Sequence, residues 1–250
     1  MPLRCCLLFL FLIRCLSINA QQIDSIKNLI RTNQLDSSQF TYHYELAKLY
    51  WETNPDSSIL YGHKSILIAK AIEDELKLGD AVKTLGVSFD YKENLDSCLH
   101  YLNESLIIYK RLNKLDKQSH VLNDIAIAYY FRGNYELALR FHLQALKLRQ
   151  AFGNQSYIST SYNNLGLVYR SKKEYSKAIY YYKKSLEIKQ ASNDIQGMVN
   201  AYMNIGSAFQ NNSMYDSAYY YGYLSLELAS KYHLTNDILA AKGNTAPSSR

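Results

Sequence analysis

A forty-residue period constrains this chain more than any other feature. Small residues stand at Gly86, Ala126, Gly166 and Gly206, forty apart each time. Six further columns keep that step. Leu85, Ile125, Leu165 and Ile205 precede the small residue, and Phe89, Tyr129, Tyr169 and Phe209 follow three places after it. Next come Leu95, Tyr135, Tyr175 and Tyr215, then Cys98, Ala138, Ala178 and Ala218. Ser105, Ala145, Ser185 and Ser225 close each copy beside Leu106, Leu146, Leu186 and Leu226. An earlier copy, offset by 39, carries Leu46, Ala47 and Tyr50, then Ser58, Ser65 and Ile66. Self-similarity on this scale requires a stack of supersecondary units, each burying a face against its neighbours.

The units read as helical pairs. Tyr162, Leu165, Gly166 and Tyr169 fall at i, i+3, i+4 and i+7, one face of a helix. Ser171–Glu174 is a polar turn, after which Tyr175, Ala178, Tyr182, Ser185 and Leu186 line a second helix. Gly133-Asn134 and Asn54-Pro55-Asp56 mark the same turn in other copies. Asp56, Asp96 and Asp216 lie near second-helix starts, where an acid complements the helix dipole. With only 10 Gly and 3 Pro, a sandwich or barrel full of tight turns is disfavoured. The expected fold is all-α, a right-handed solenoid of antiparallel helix pairs. Five copies are expected, about 41–78, 79–118, 119–158, 159–198 and 199–232, after a leading helix and linker over 21–40. The small columns are expected to let paired helices approach, and the aromatic columns to fill the groove between copies.

Residues 1–20 have the form of a secretory signal. Arg4 precedes nine apolar residues, Cys5–Ile13, and Ala20 offers a small-residue exit before Gln21-Gln22. The run is shorter than the ~20 apolar residues of a membrane span. Cleavage near Ala20 is expected to leave Cys98 as the single cysteine, which excludes an internal disulfide or a structural zinc site. The mature chain is thus expected in the periplasm or outside the cell. Residues 233–250 open a sixth copy, with Ala246 on the small column, but Pro247 and Ser249 interrupt it. A solenoid needs a closing cap, so the expectation is a longer parent protein.

Asn164-Leu165-Gly166-Leu167-Val168-Tyr169, then Tyr175-Ser176-Lys177-Ala178 and Ser185-Leu186, resemble the tetratricopeptide repeat. Most copies lack that family's early Trp and closing Pro and are longer than its 34 residues; the extra length is expected in the helices and in the connection between copies. The exported leader, the short helix at Ile23–Arg31 and Asn54-Pro55-Asp56-Ser57-Ser58 further resemble the sensor region of Bacteroidetes-type tetratricopeptide histidine kinases and related regulators. That resemblance implies a sensing module whose output domain follows the repeats.

No phosphate-binding glycine loop, zinc-protease motif or nucleophile elbow is present in the mature sequence. None of the six histidines makes a metal-ligand spacing with another, and no cofactor is implied. A net charge of +6, interspersed along the chain, is not a nucleic-acid footprint. The chain is therefore expected to be no enzyme but to bind a protein or extended peptide. Family resemblance places the partner on the first helix of each pair, at side chains that avoid the packing columns. Those are Tyr91, Asn123, Asp124, Tyr130, Asn163, Asn164, Arg170, Asn204 and Asn211. Amides can bond a peptide backbone, rings can pack its side chains, and Arg can meet an acidic group. In the family an Asn just before the Leu-Gly pair often touches the ligand backbone. Asn164 and Asn204 match it, whereas Thr84 and Asp124 do not.

Overall fold

The computed structural model describes residues 21–28 and 37–234. Residues 1–20, where a secretory signal is expected, residues 29–36 of the expected linker, and residues 235–250 of the expected sixth copy lie outside the described residues. Residues 21–28 are helical. Ten helices follow: α1 (Ser37–Leu49), α2 (Pro55–Ala71), α3 (Glu75–Tyr91), α4 (Leu95–Arg111), α5 (Leu115–Phe131), α6 (Tyr135–Phe152), α7 (Gln155–Ser171), α8 (Tyr175–Ala191), α9 (Ile195–Asn211) and α10 (Tyr215–Lys231). Among the described residues there is no strand. The chain divides into two compact units, Met1–Lys114 and Leu115–Arg250. Described residues of the first form two helical hairpins, α1–α2 and α3–α4, and those of the second form three, α5–α6, α7–α8 and α9–α10.

The turns recur every twenty residues, half the sequence period. A left-handed backbone conformation appears at Glu73, Glu93, Asn113, Gly133, Gly153, Lys173, Asn193, Ser213 and His233. The next residue often belongs to two helices at once. Asn94 donates its N–H to the Phe89 carbonyl at 2.9 Å, closing α3, while its Oδ1 accepts from the Ser97 N–H at 3.0 Å, opening α4. Asp74, Asn134 and Asp194 do the same, and Asn54 and Asn154 also cap with their side chains. This answers the orphan groups of both helix ends with one residue. From α2 onward every connection is therefore two or three residues long, within a copy and between copies. The expected longer connection between copies is corrected: the extra length lies in the helices, most of which run to 17 residues.

Within the hairpins, the small columns explain the close approach. A Cβ at Gly86 would stand 2.9 Å from Leu102 Cγ, and one at Gly166 would stand 2.6 Å from two ring carbons of Tyr182. The serine column adds hydrogen bonds: Ser105, Ser185 and Ser225 donate to the carbonyls of Gly79, Ser159 and Val199 at 3.0, 2.8 and 3.2 Å. Each ties the second helix to the first turns of its partner.

The aromatic column packs against the clusters between hairpins, as expected, and also stacks within each hairpin. Phe89, Tyr129, Tyr169 and Phe209 stack inside their own hairpins on Tyr101, Phe141, Tyr181 and Tyr221, at centroid distances of 5.4, 5.7, 5.3 and 5.5 Å. The partners sit twelve residues on, where the short turn folds the second helix back over the end of the first. Aliphatic residues form the buried centre of the space between hairpins, with the aromatic column packed against it. In the first unit Ile66, Ile68, Val82, Leu85 and Ile108 pack together. In the second, Leu139 and Leu146 of α6 meet Ile158, Leu165 and Val168 of α7, and Ile179 and Leu186 of α8 meet Ile205 of α9.

Candidate partner-binding face

In the second unit the first helices of the three hairpins present matching rows. Asn123, Ile127 and Tyr130 of α5 lie at i, i+4 and i+7, on one helix face. Asn163, Leu167 and Arg170 repeat them on α7, and Met203, Ser207 and Gln210 on α9. All but Gln210 are half-buried. On α5 and α7 the face thus has an amide, an apolar and a polar position, while α9 places Met203 and Ser207 at the first two.

Side chains link neighbouring helices along it. Asn164 Nδ2 donates to Asn123 Oδ1 at 2.9 Å, and Asn204 Nδ2 donates to Asn163 Oδ1 at 2.9 Å. The Tyr130 hydroxyl meets Ser171 Oγ at 3.0 Å. Asn164 and Asn204, expected to meet the ligand backbone, therefore also bond to the asparagines of the preceding first helices. Each pair still presents an amide N–H₂ (Asn123, Asn163) and a carbonyl (Asn164, Asn204). That donor and acceptor set complements a peptide group.

Asp124 is drawn into the protein rather than onto the face. Arg149 of α6 is buried, and its Nη1 donates to the Tyr157 carbonyl at 3.2 Å and to Ser161 Oγ at 2.8 Å, both on α7. Burial lowers the Arg149 pKa, and the Asp124 carboxylate works against that shift. The Tyr157 ring lies under the guanidinium at 5.6 Å, with His120 edge-on to that ring at 4.6 Å. His142, one of this group, is buried, its Nδ1 has no partner, and burial followed by the Arg149 charge pushes its pKa down to about 4. It is a neutral core histidine at pH 7. This polar junction fastens the third hairpin to the fourth, and nothing in the sequence pattern separated Arg149 from the solvated lysines and arginines around it.

Asn211 is exposed at the last residue of α9. Tyr91 belongs to the first unit. It stacks on Trp51 at 6.4 Å, its hydroxyl donates to Glu52 Oε1 at 3.1 Å, and Trp51 Nε1 donates to the Thr84 carbonyl at 3.4 Å. Tyr182 was legible only as a core position. It is fully buried, yet its hydroxyl has no hydrogen-bond partner. Burial raises its pKa to about 12; the Arg170 charge opposes the rise and Tyr130 adds to it. No group of three His, Cys, Asp or Glu side chains among the described residues could hold a metal ion. No described helix is long and apolar enough to cross a membrane.

Residues 80–151 and 120–191 match the family model of the tetratricopeptide repeat. Among solved structures the fold is similar to BtubC (BKLC) from P. vanneervenii, with a TM-score of 0.69 and 16% identity over 88% of this chain and 91% of that one. Aspartyl phosphate phosphatase F from Bacillus subtilis gives a TM-score of 0.72 and 16% identity over 86% of this chain and 57% of that one. A Rap protein complexed with competence and sporulation factor gives 0.70 and 18% over 86% and 60%. This chain thus spans about three fifths of the last two. At these identities the likeness establishes the fold. No curated protein sequence matches the chain.

Proposed function

We propose that this tetratricopeptide-repeat chain is an exported scaffold that binds a protein or extended peptide across the first helices of its third to fifth repeats. The observation that carries the reading is the pair of asparagine links, Asn123–Asn164 and Asn163–Asn204. They repeat at the period of the fold, and each leaves one donor and one acceptor toward a ligand backbone. Ile127 and Leu167 lie beside them for the ligand's apolar side chains. The Rap protein and NprR, both structurally similar, are seen with competence and sporulation factor and with the cognate peptide NprX respectively, which supports a peptide as the occupant. Capture of a partner by the full chain, compared with Asn164→Ala and Asn204→Ala, tests the face. Unchanged capture by both variants refutes it. Export is supported by the signal-like residues 1–20 and predicts a mature N-terminus at Gln21, read by mass spectrometry of the periplasmic or extracellular fraction.

A second reading makes the same array the sensor of a histidine kinase or transcriptional regulator with an output domain elsewhere in a longer parent. Its support is that a signal transduction ATPase from Pyrococcus horikoshii carries a tetratricopeptide repeat sensor of this fold, and this chain covers 40% of it. A hydrophobic span and a kinase core downstream of residue 250 in the source genome select that reading. A stop codon with neither in any frame removes it.

A further inference from the structure

Leu67 and Ile107, 67% and 66% exposed, are among the most exposed large apolar side chains of the protein. They occupy one column on successive second helices, α2 and α4, both within the first unit. Later copies hold Lys147, Glu187 and Glu227 there, so the fold does not require an aliphatic residue at this place. Leu60, 52% exposed, lies two turns before Leu67 on the same side of α2. The two helices meet over one ring: His63 of α2 and His100 of α4 both stand edge-on to Tyr101, at 6.2 and 5.0 Å. The aliphatic side chains therefore belong to one continuous flank.

The exposed charge on this flank has one sign. Lys64, Lys70 and Lys110 are exposed. Past their first turns neither helix exposes an acid, and Glu104 is half-buried. Single exposed apolar residues need no explanation. Aliphatic side chains interleaved with lysines on neighbouring helices are the pattern of a surface that lies on an anionic bilayer. The apolar groups enter at the boundary of headgroups and acyl chains, and the lysines reach the phosphates while their stems stay in the apolar layer. An acidic protein would answer the lysines but set Leu67 and Ile107 against its carboxylates; a bilayer answers both.

We propose that the solvent flank of α2 and α4 docks the first unit on an anionic phospholipid surface. The inference is independent of the peptide face on α5, α7 and α9.

The test incubates the full chain with vesicles of phosphatidylcholine alone or mixed equally with phosphatidylglycerol, each carrying a trace of lipid with a photoactivatable acyl chain. After illumination, lipid adducts are mapped by mass spectrometry, which separates this flank from the apolar residues 5–13. The expected adducts fall on α2 and α4, require phosphatidylglycerol and decline in 0.5 M salt. Leu67→Asn with Ile107→Asn lowers these adducts about tenfold, and each of Lys64→Ser, Lys70→Ser and Lys110→Ser lowers them about fivefold. The substituted residues are exposed, so the thermal midpoint stays unchanged. Adducts confined to residues 1–20, or undiminished by the Leu67/Ile107 double substitution, overturn the proposal. So does soluble polyglutamate that is held by the same lysines when the vesicles are not, which makes the flank a site for an acidic protein.

Discussion

Replacing Gly166 by Ala sets a gain in helix propensity against a steric cost, and the structure decides the sign. Ala is favoured over Gly in a helix interior by about 1 kcal/mol. The added methyl would stand 2.6 Å from Cδ1 and Cε1 of Tyr182 and 3.0 Å from its Cγ. Carbon atoms rest at about 3.5–4 Å, so the ring must retreat by about 1 Å. Tyr182 is fully buried and has no open side toward which to move. Overpacking of this kind costs about 1–3 kcal/mol, and here it should reach the upper part of that range. The net expectation is a loss of about 1–2 kcal/mol, or a midpoint lower by ~3–6 °C for a chain of this size. Repeat arrays open locally, so hydrogen exchange should show the loss first in α7 and α8. The third copy carries Ala126 and His142 at the same two columns. Adding Tyr182→His to Gly166→Ala should therefore recover part of the stability. A Gly166→Ala chain with a raised midpoint and unchanged exchange in α8 would refute the account of the small column as a seat for the ring.

Three further outcomes follow from the turns and the buried junction. Asn94→Ala removes the cap of α4 while leaving the backbone bond that closes α3, and should cost about 1 kcal/mol in denaturant titration. Glu93→Gly should stabilise by up to ~1 kcal/mol, because a left-handed residue with a side chain carries strain that glycine lacks; a lower urea midpoint would show that Glu93 has a role beyond the turn. His142 takes a proton only near pH 4 when folded, against 6.5 when unfolded. The unfolded chain thus binds the extra proton across that window, and stability should rise by on the order of 3 kcal/mol from pH 4 to 6.5 and level off above. His142→Leu, the residue of the second copy's column, should flatten that acid limb in unfolding curves measured at a series of pH values.

Much of the fold was legible because packing repeats. Gly86, Gly166 and Gly206 announced where helices meet, and Asp56, Asp96 and Asp216 announced where second helices begin. What escaped were features off the forty-residue columns. The asparagine links join residues 41 apart, so each falls in no single column. The left-handed turn positions are occupied by Glu, Lys, Asn, Ser and His as well as Gly, because backbone bonds enforce the conformation and little side-chain signal remains. Tyr101, Phe141, Tyr181 and Tyr221 do share a column, yet their partners are known only once the turn brings twelve-residue neighbours together. Arg149 and Tyr182 occupy positions that other copies fill with Ala, Tyr, Lys, Leu, His or Gly, so periodicity did not mark either as a buried polar group. On the binding face the row of asparagines was readable as polar residues outside the core columns. Their mutual bonding was not.

The recurrent turn has a bearing on how such a chain can change length. It follows first and second helices alike and closes both with the same bonds, so the backbone accepts the gain or loss of a single twenty-residue helix as readily as of a pair. The side chains do not. Removing one helix would leave every later turn intact but exchange inward and outward roles downstream, setting Leu186 where Gly166 belongs and retiring the asparagine row from its surface. Only steps of two helices preserve those roles. The chain therefore has one grammar for its backbone and a longer one for its faces, and viable insertions and deletions should count in forties.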